Sequence, residues 1–146
     1  MWADPAVTHF ISGRAFNREE VWARLLRYAG HWQWMDYGFW AIEDKATGAF
    51  AGELGFAEFE RELEPRLDTP EAGWVLASQF HGQRYGSEAL EAILAWADQR
   101  MPATTCLIHP DNQASLRLAA NYGYREIAQT IYKGQATVIL RRQREW

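Results

Sequence analysis

A single cysteine, Cys106, stands in a chain of 146 residues, and that scarcity excludes an internal disulfide framework. Histidine is scarce too. The four are scattered, and no His/Cys/carboxylate cluster has the ligand spacing of a metal site. No apolar run approaches the roughly 20 residues that a membrane span requires, and the N-terminus lacks the charged-then-apolar order of a signal peptide. Positive charge is short as well: 15 Lys+Arg against 19 Asp+Glu leave a net charge of -4, which argues against a phosphate backbone as the main partner. The basic cluster Arg141, Arg142 and Arg144 is cut by Glu145 and reads as a solvated tail. Together these features predict one cytoplasmic domain over residues 1–146 with no metal, no nucleic acid and no membrane partner.

Apolar and aromatic residues, by contrast, are plentiful. A hydrophobic share of 48% supports one sizeable core. Eight tryptophans are many for this length, and "HWQWMDYGFW", residues 31–40, concentrates three of them. Such side chains are mainly core material; an aromatic groove or a homodimer contact is the other use.

Asn17 followed by Glu20 has the form of a capping box, and Val21, Leu25 and Tyr28 recur at helical spacing until Gly30. "FWAIED" (39–44) and "FAGELGFAEF" (50–59) read as a hairpin about the turn 45–48. The charged, proline-containing segment 60–70 reads as a surface loop, and "EAGWVLASQ" (71–79) as a strand. From Gly86 to Arg100, Ala89, Ile93 and Ala97 share one face of a helix of about four turns. "TTCLIH" (104–109) is a buried strand, Pro110 and Asp111 open a helix closed by Gly123, and "YREIAQ" and "YKGQATVILRR" end the chain as strands. The order predicts a mixed α/β fold with an antiparallel start and a crossover at the long helix.

In "HGQRYGSEAL", residues 81–90, two glycines flank the point where the long helix begins. The first N–H groups of a helix lack intrahelical partners and carry partial positive charge. A glycine-loosened backbone there can wrap a phosphate with the N–H groups of Gln83 to Ser87. A plain strand-to-helix turn would use the same glycines. The P-loop and dinucleotide-binding glycine patterns are both missing.

"GWVLASQFHGQRYGSEALEAILAWA" followed by "IHPDNQASLRLAANYGYRE" resembles the GNAT superfamily of N-acetyltransferases, in the branch that includes the ribosomal-protein N-terminal acetyltransferases. The resemblance rests on Gly82, Tyr85, Gly86, Ser87, Glu88 and Ala89, and then on Asn112, Ser115, Gly123 and Tyr124. It implies an α/β (α+β) fold whose mixed, mostly antiparallel central sheet carries helices on both faces. The first strand of such folds has no equivalent before Asp4. It also implies an acetyl-CoA-dependent transferase (an acyltransferase) acting on a primary amine, of a protein N-terminus or a small molecule, by direct attack.

On that resemblance the arm of acetyl-CoA lies along Trp74, Val75, Leu76 and Ala77, and its pyrophosphate on Gly82, Gln83, Arg84, Tyr85, Gly86 and Ser87. Asn112 and Ser115 meet the arm or the sulfur. Arg84 replaces the family's middle glycine, which tightens the turn or adds a charged phosphate contact. Ala119 replaces the tyrosine with which many relatives protonate the leaving thiolate. Glu71 is the first candidate base, ahead of His109 and Glu53, each of which also has a plain structural use. Cys106 reads as a core residue, which disfavours a ping-pong route. The acidic net charge favours a cationic acceptor. A non-catalytic acyl-CoA-binding module or sensor is the alternative reading.

Overall fold

The computed structural model describes residues 1–144. After the single turn α1 (Pro5–Thr8) comes α2 (Arg18–Met35), then the strands β1 (Phe39–Glu43), β2 (Phe50–Ala57) and β3 (Glu71–Leu76). A short 3-10 turn, Ser78–Phe80, leads to α3 (Tyr85–Ala97); β4 (Ala103–Ile108), α4 (Gln113–Asn121), β5 (Arg125–Tyr132) and β6 (Gln135–Gln143) complete the order. The strands form one sheet in the order β1-β2-β3-β4-β6-β5. Only the β3–β4 pairing is parallel among the described residues, so the sheet is mixed and mostly antiparallel. No strand precedes α2 among them.

Strand alternation sends successive side chains to opposite faces. Phe39, Gly55 and Gly73 share one face through their register, and Trp40, Leu54 and Trp74 share the other. Tyr28 of α2 stacks on Phe39 with ring centroids 4.8 Å apart. On the opposite face Trp96 of α3 meets Trp40 at 5.1 Å and Phe56 at 6.2 Å. Helices therefore cover both faces. The core lies under α3, where Phe56, Leu90, Leu94, Cys106, Tyr124 and Leu140 are buried together. Gly55 is needed between β1 and β2, because a Cβ there would sit 2.2 Å from the Gly38 carbonyl oxygen.

Several boundaries differ from the sequence reading. Both halves of the Asn17–Glu20 capping box form, but α2 runs past Gly30 to Met35. Glycine in a helix costs about 1 kcal/mol against alanine, and tertiary contacts offset it: Trp32 donates its indole N–H to the Phe39 carbonyl at 2.8 Å. Asp36, left-handed at φ 58°, ends the helix. The strand read to residue 79 stops at Leu76, and α3 and α4 each end earlier than the spacing implied. The read over 50–59 as strand ends at Ala57. Lys133 and Gly134, both at positive φ, form the tight turn that joins β5 to β6.

The solvated-tail reading of the terminal arginines is overturned. Arg141 and Arg142 lie within β6, where Arg141 donates to Asp68 at 2.9 Å and Arg142 grips Asp98 with two bonds of 2.5 and 2.8 Å. Arg144 donates to the Asp98 carbonyl at 2.5 Å; Glu145 lies outside the described residues. Partners distant in sequence convert this basic run into a clamp. The tryptophans divide: Trp2 is buried, whereas Trp34 is 85% exposed. The loop 60–70 is not all surface, since Leu63 is buried and Arg61 turns inward.

Candidate active site

β3 and β4 pair through Glu71 and Thr105, with the Thr105 N–H donating to the Pro70 carbonyl at 3.0 Å. Backbone groups of Pro70 thus point toward β4, and by alternation so do those of Ala72, Trp74 and Leu76. The Ala77 N–H, bonded to the Ala51 carbonyl at 2.8 Å, has the opposite phase and points to β2. Beyond Glu71 the parallel strands part, and the inward backbone edge of Trp74 and Leu76 faces an opening. The His81 ring donates to the Leu76 carbonyl at 3.0 Å, which satisfies one group of that edge.

The opening continues into a cleft of about 530 Å³. It brings together Glu71, Trp74, Val75, His109, Asn112 and Ser115, with an aromatic wall of Trp2, Phe10, Phe16, Tyr28, Phe39 and Phe59. At its α4 end the Asn112 side chain caps the helix, accepting from the Ser115 N–H at 3.2 Å. The Ser115 hydroxyl accepts from the Trp74 indole at 3.3 Å, which leaves its own proton free to donate. Asn112 is thus held as a cap through its oxygen, and its amide NH2 is the group left to meet a ligand.

Gly82 and Arg84 are both left-handed, at φ 71° and 69°, and Arg84 is the N-cap of α3 without a side-chain cap. A Cβ on Gly82 would meet nothing within 4 Å, so glycine serves the backbone conformation there and leaves the space beside it open. Gly86 differs. It is buried in the first turn, and its missing Cβ points at Leu76 and Leu118, 3.4 and 3.5 Å away, so it seats the helix on the sheet. Tyr85 turns away and donates to Asp44 at 2.6 Å, while Ser87 lends its carbonyl to the Tyr122 hydroxyl at 2.9 Å. Gln83 folds back on the Gln79 carbonyl at 2.7 Å. The first-turn N–H groups of α3 remain without capping side chains, as an anion site needs. Open space beside Gly82, unpaired first-turn donors and an unpaired strand edge fit the pyrophosphate and amide arm of a coenzyme A thioester.

Glu71 is buried at 7% exposure and bonded through both oxygens to Arg61, at 2.5 and 2.8 Å. Burial opposes the charge on Arg61, but the bonds and attraction from Glu71 together outweigh it and raise its pKa above the ordinary value. Phe59 and Tyr132 flank the same guanidinium at 4.7 and 5.4 Å. His109 accepts the Asp111 N–H on Nδ1 at 3.1 Å, the structural use. Glu53 also has one: its Oε1 accepts from the Tyr28 hydroxyl at 2.7 Å and the Trp2 indole at 3.1 Å. Burial raises its pKa against the pull of those bonds and of Arg24. Burial likewise holds the Cys106 thiol protonated. Ala119 is fully buried in the core. Among the described residues no group of three or more His, Cys, Asp or Glu could hold a metal ion, and no helix is long and apolar enough to cross a membrane.

Residues 1–125 match the Acetyltransf_3 family, described as an acetyltransferase (GNAT) domain. The chain belongs to the GNAT acetyltransferase family. Members of this family draw their acetyl group from acetyl-CoA. A protein of Bordetella pertussis assigned to the GnaT-family acetyltransferases superposes on this GNAT domain with a TM-score of 0.83 at 31% identity, over 94% of this chain and 86% of that one. A structure of yncA from Salmonella typhimurium with its cofactor acetyl-CoA gives 0.74 at 20% identity, over 97% and 84%. The ribosomal-protein-alanine N-acetyltransferase of Brucella melitensis gives 0.72 at 16%, over 97% and 90%; at that identity the likeness is one of fold. Among curated proteins, the uncharacterized YkkB of Bacillus subtilis (strain 168) is 33% identical over 86 residues, 58% of this chain and 48% of that protein. The chain therefore aligns with about half the length of that relative.

Sequence reasoning missed the participants that come from elsewhere in the chain: Trp2, Arg24, Tyr28, Arg61 and Tyr132. Arg61 sits in the charged loop and Tyr132 at the end of an edge strand, and neither carries a local motif. An arginine ten residues before a strand-opening glutamate was the only available hint.

Proposed function

We propose that this GNAT domain transfers the acetyl group of acetyl-CoA to a primary amine by direct attack within a ternary complex. The observation that carries the reading is the parting of β3 and β4 beyond Glu71, which opens an unpaired backbone edge between a carboxylate and the Ser115 hydroxyl. Acetyl-CoA, when bound, supplies an acetyl group activated as a thioester. Gln83 to Ser87 hold its pyrophosphate through backbone N–H groups, and the guanidinium of Arg84 adds a charge-assisted contact. Trp74, Val75, Leu76 and Ala77 present the strand along which its amide arm lies. Of these, Trp74 and Leu76 direct their N–H groups into the opening, where they stabilise negative charge developing on oxygen.

An amine arrives as ammonium and must lose a proton before it attacks. Glu71 accepts that proton. Both its oxygens bond Arg61, so the incoming ammonium competes as a cation for the carboxylate and Arg61 yields to it, still flanked by Phe59 and Tyr132. Ser115, its oxygen steadied by the Trp74 indole, keeps its proton and donates a hydrogen bond to the sulfur, which departs as a thiolate and takes its proton from solvent. Asn112 fixes the start of α4 and thereby the position of Ser115. The protonated Cys106 thiol provides no nucleophile for an acyl-enzyme.

Calorimetric titration with acetyl-CoA, with 3'-dephospho-acetyl-CoA and acetyl-pantetheine as controls, tests the cradle, and a panel of amines tests turnover. Saturable 1:1 binding that weakens sharply without the pyrophosphate, followed by hydrolysis-corrected acetylation, is expected. Tight binding with no product on any amine would favour a non-catalytic module, and no heat at all would overturn the assignment.

A further inference from the structure

The charges lining the cleft are not balanced in the same way. Arg14 and Glu20 pair through two bonds of 3.0 and 2.5 Å, and Arg61 and Glu71 satisfy each other. Arg24 has no such carboxylate. It donates from Nη1 to the Tyr28 hydroxyl at 3.0 Å, which in turn donates to Glu53, so the attraction between Arg24 and Glu53 acts across that hydroxyl without a direct bond. Its Nε is buried without a hydrogen-bond partner. Its planar head is fixed 4.0 Å from the Trp2 ring centroid and 5.2 Å from that of Phe16. A guanidinium packed against the stacked Trp2–Phe16 pair, whose ring centroids are 5.1 Å apart, and with donors to spare, is organised to take a planar anion in fork geometry.

Its position suits an acceptor. Arg24 lines both the active-site cleft and a second cavity of about 510 Å³, which is lined mainly by apolar side chains together with Arg24, Tyr28, Glu53 and the N-terminal Met1. Trp2, Tyr28 and Phe39 also face both spaces, so Arg24 stands in the wall between them. Glu53, one hydroxyl away from Arg24, is the β2 register partner of Val75, and directly paired residues lie about 5 Å apart at Cβ. The guanidinium is therefore close to the strand on which the acetyl group is proposed to lie. The aromatic surroundings suit an apolar body.

We propose that the acceptor is a small amine that also carries a carboxylate, as an α-amino acid with an apolar side chain does, and that Arg24 receives the carboxylate. The inference rests on the acetyl-transfer reading above and selects within it. A protein N-terminus, whose α-carbonyl is an uncharged amide, lacks the anion that Arg24 is built to hold.

Phenylalanine, phenylalaninamide and phenethylamine, and likewise leucine, leucinamide and isopentylamine, separate the possibilities when supplied with saturating acetyl-CoA. The free acids are expected to exceed the amides and the decarboxylated amines in kcat/KM by about tenfold or more, the range of a charge-assisted pair. In Arg24→Met that ratio falls toward one, and in Arg24→Lys part of it survives; thermal melts show that each variant is folded. Equal or better use of the amides by the wild-type protein, or a preference that persists in Arg24→Met, overturns the inference while leaving acetyl transfer standing. Should no amine turn over, the transfer reading fails, and calorimetry of phenylalanine into the acetyl-CoA-loaded protein decides the present point. Binding lost in Arg24→Met supports it, and absence of binding rejects it.

Discussion

The proposed cofactor side and the proposed acceptor side of the cleft are built from different materials. From β3 through the turn 81–87 to the start of α4, the proposed contacts are mostly backbone N–H groups, placed by left-handed Gly82 and Arg84 and by the Asn112 cap. On the acceptor side the surface is made of side chains, Trp2, Arg24, Tyr28, Phe39, Arg61 and Glu71, which come from α2, two strands and two loops. A backbone cradle depends on local conformation and tolerates exchange of most side chains. A side-chain wall depends on which residues the fold brings together, and single substitutions can change what it accepts. On the proposed reading, general acetyl-CoA chemistry belongs to one half and selectivity to the other.

The sharpest way to break this division is Glu71→Gln, which removes the proposed base and leaves Arg61 facing a neutral amide. Turnover is expected to fall by about 10²–10⁴, with about 1–3 kcal/mol of stability lost because a partly buried cation loses its counter-charge; acetyl-CoA affinity should hold. A variant that turns over normally would remove Glu71 from the mechanism. Ser115→Ala comes next: kcat is expected to drop about tenfold or more as the leaving sulfur loses a donor, again with little change in calorimetric acetyl-CoA binding. Unchanged kcat would mean that the sulfur is stabilised elsewhere.

Arg84→Gly probes the cofactor side alone. Glycine relieves a left-handed residue by about 1 kcal/mol, which a denaturant melt should register as a gain. The Kd for acetyl-CoA should rise about tenfold and that for acetyl-pantetheine should not. Tighter binding would instead identify the guanidinium as an obstruction.

Smallest and outside both halves is Asp98→Asn. Two bonds from Arg142 hold the Asp98 carboxyl below its ordinary value, so the pair adds stability above about pH 3.8 that is lost as pH falls through the folded-state value. Asp98 is about one-third exposed, and solvent screening limits the effect to about 1 kcal/mol. Melts of the two proteins should differ at neutral pH and converge in acid, with kcat unaffected.

Much of the local structure on the proposed cofactor side was legible in the sequence, for a local reason. Asn112 three residues before Ser115, glycines about the start of α3 and the helical period after it are short-range patterns, and each maps onto an observed cap, turn or helix face. Element ends were less legible. Gly30 looked like a stop, yet α2 continues because Trp32 docks on the Phe39 carbonyl, a contact between segments that local propensity does not register. The arginines of the last strand looked solvated because Asp68 and Asp98, which fix two of them, lie 73 and 44 residues away.

The sequence by itself therefore determined the mixed α/β order of elements, the glycine-flanked start of α3, the Asn112 cap and the family. Those depend on backbone preference and on spacings within a turn or two. Only the tertiary structure decided that Arg61 masks Glu71, that Arg24 packs against the stacked Trp2 and Phe16 rings with no carboxylate bonded to it directly, and that β3 parts from β4 beyond a single register pair. Those are pairings across tens of residues, set by how the sheet brings strands together, and no local pattern encodes them.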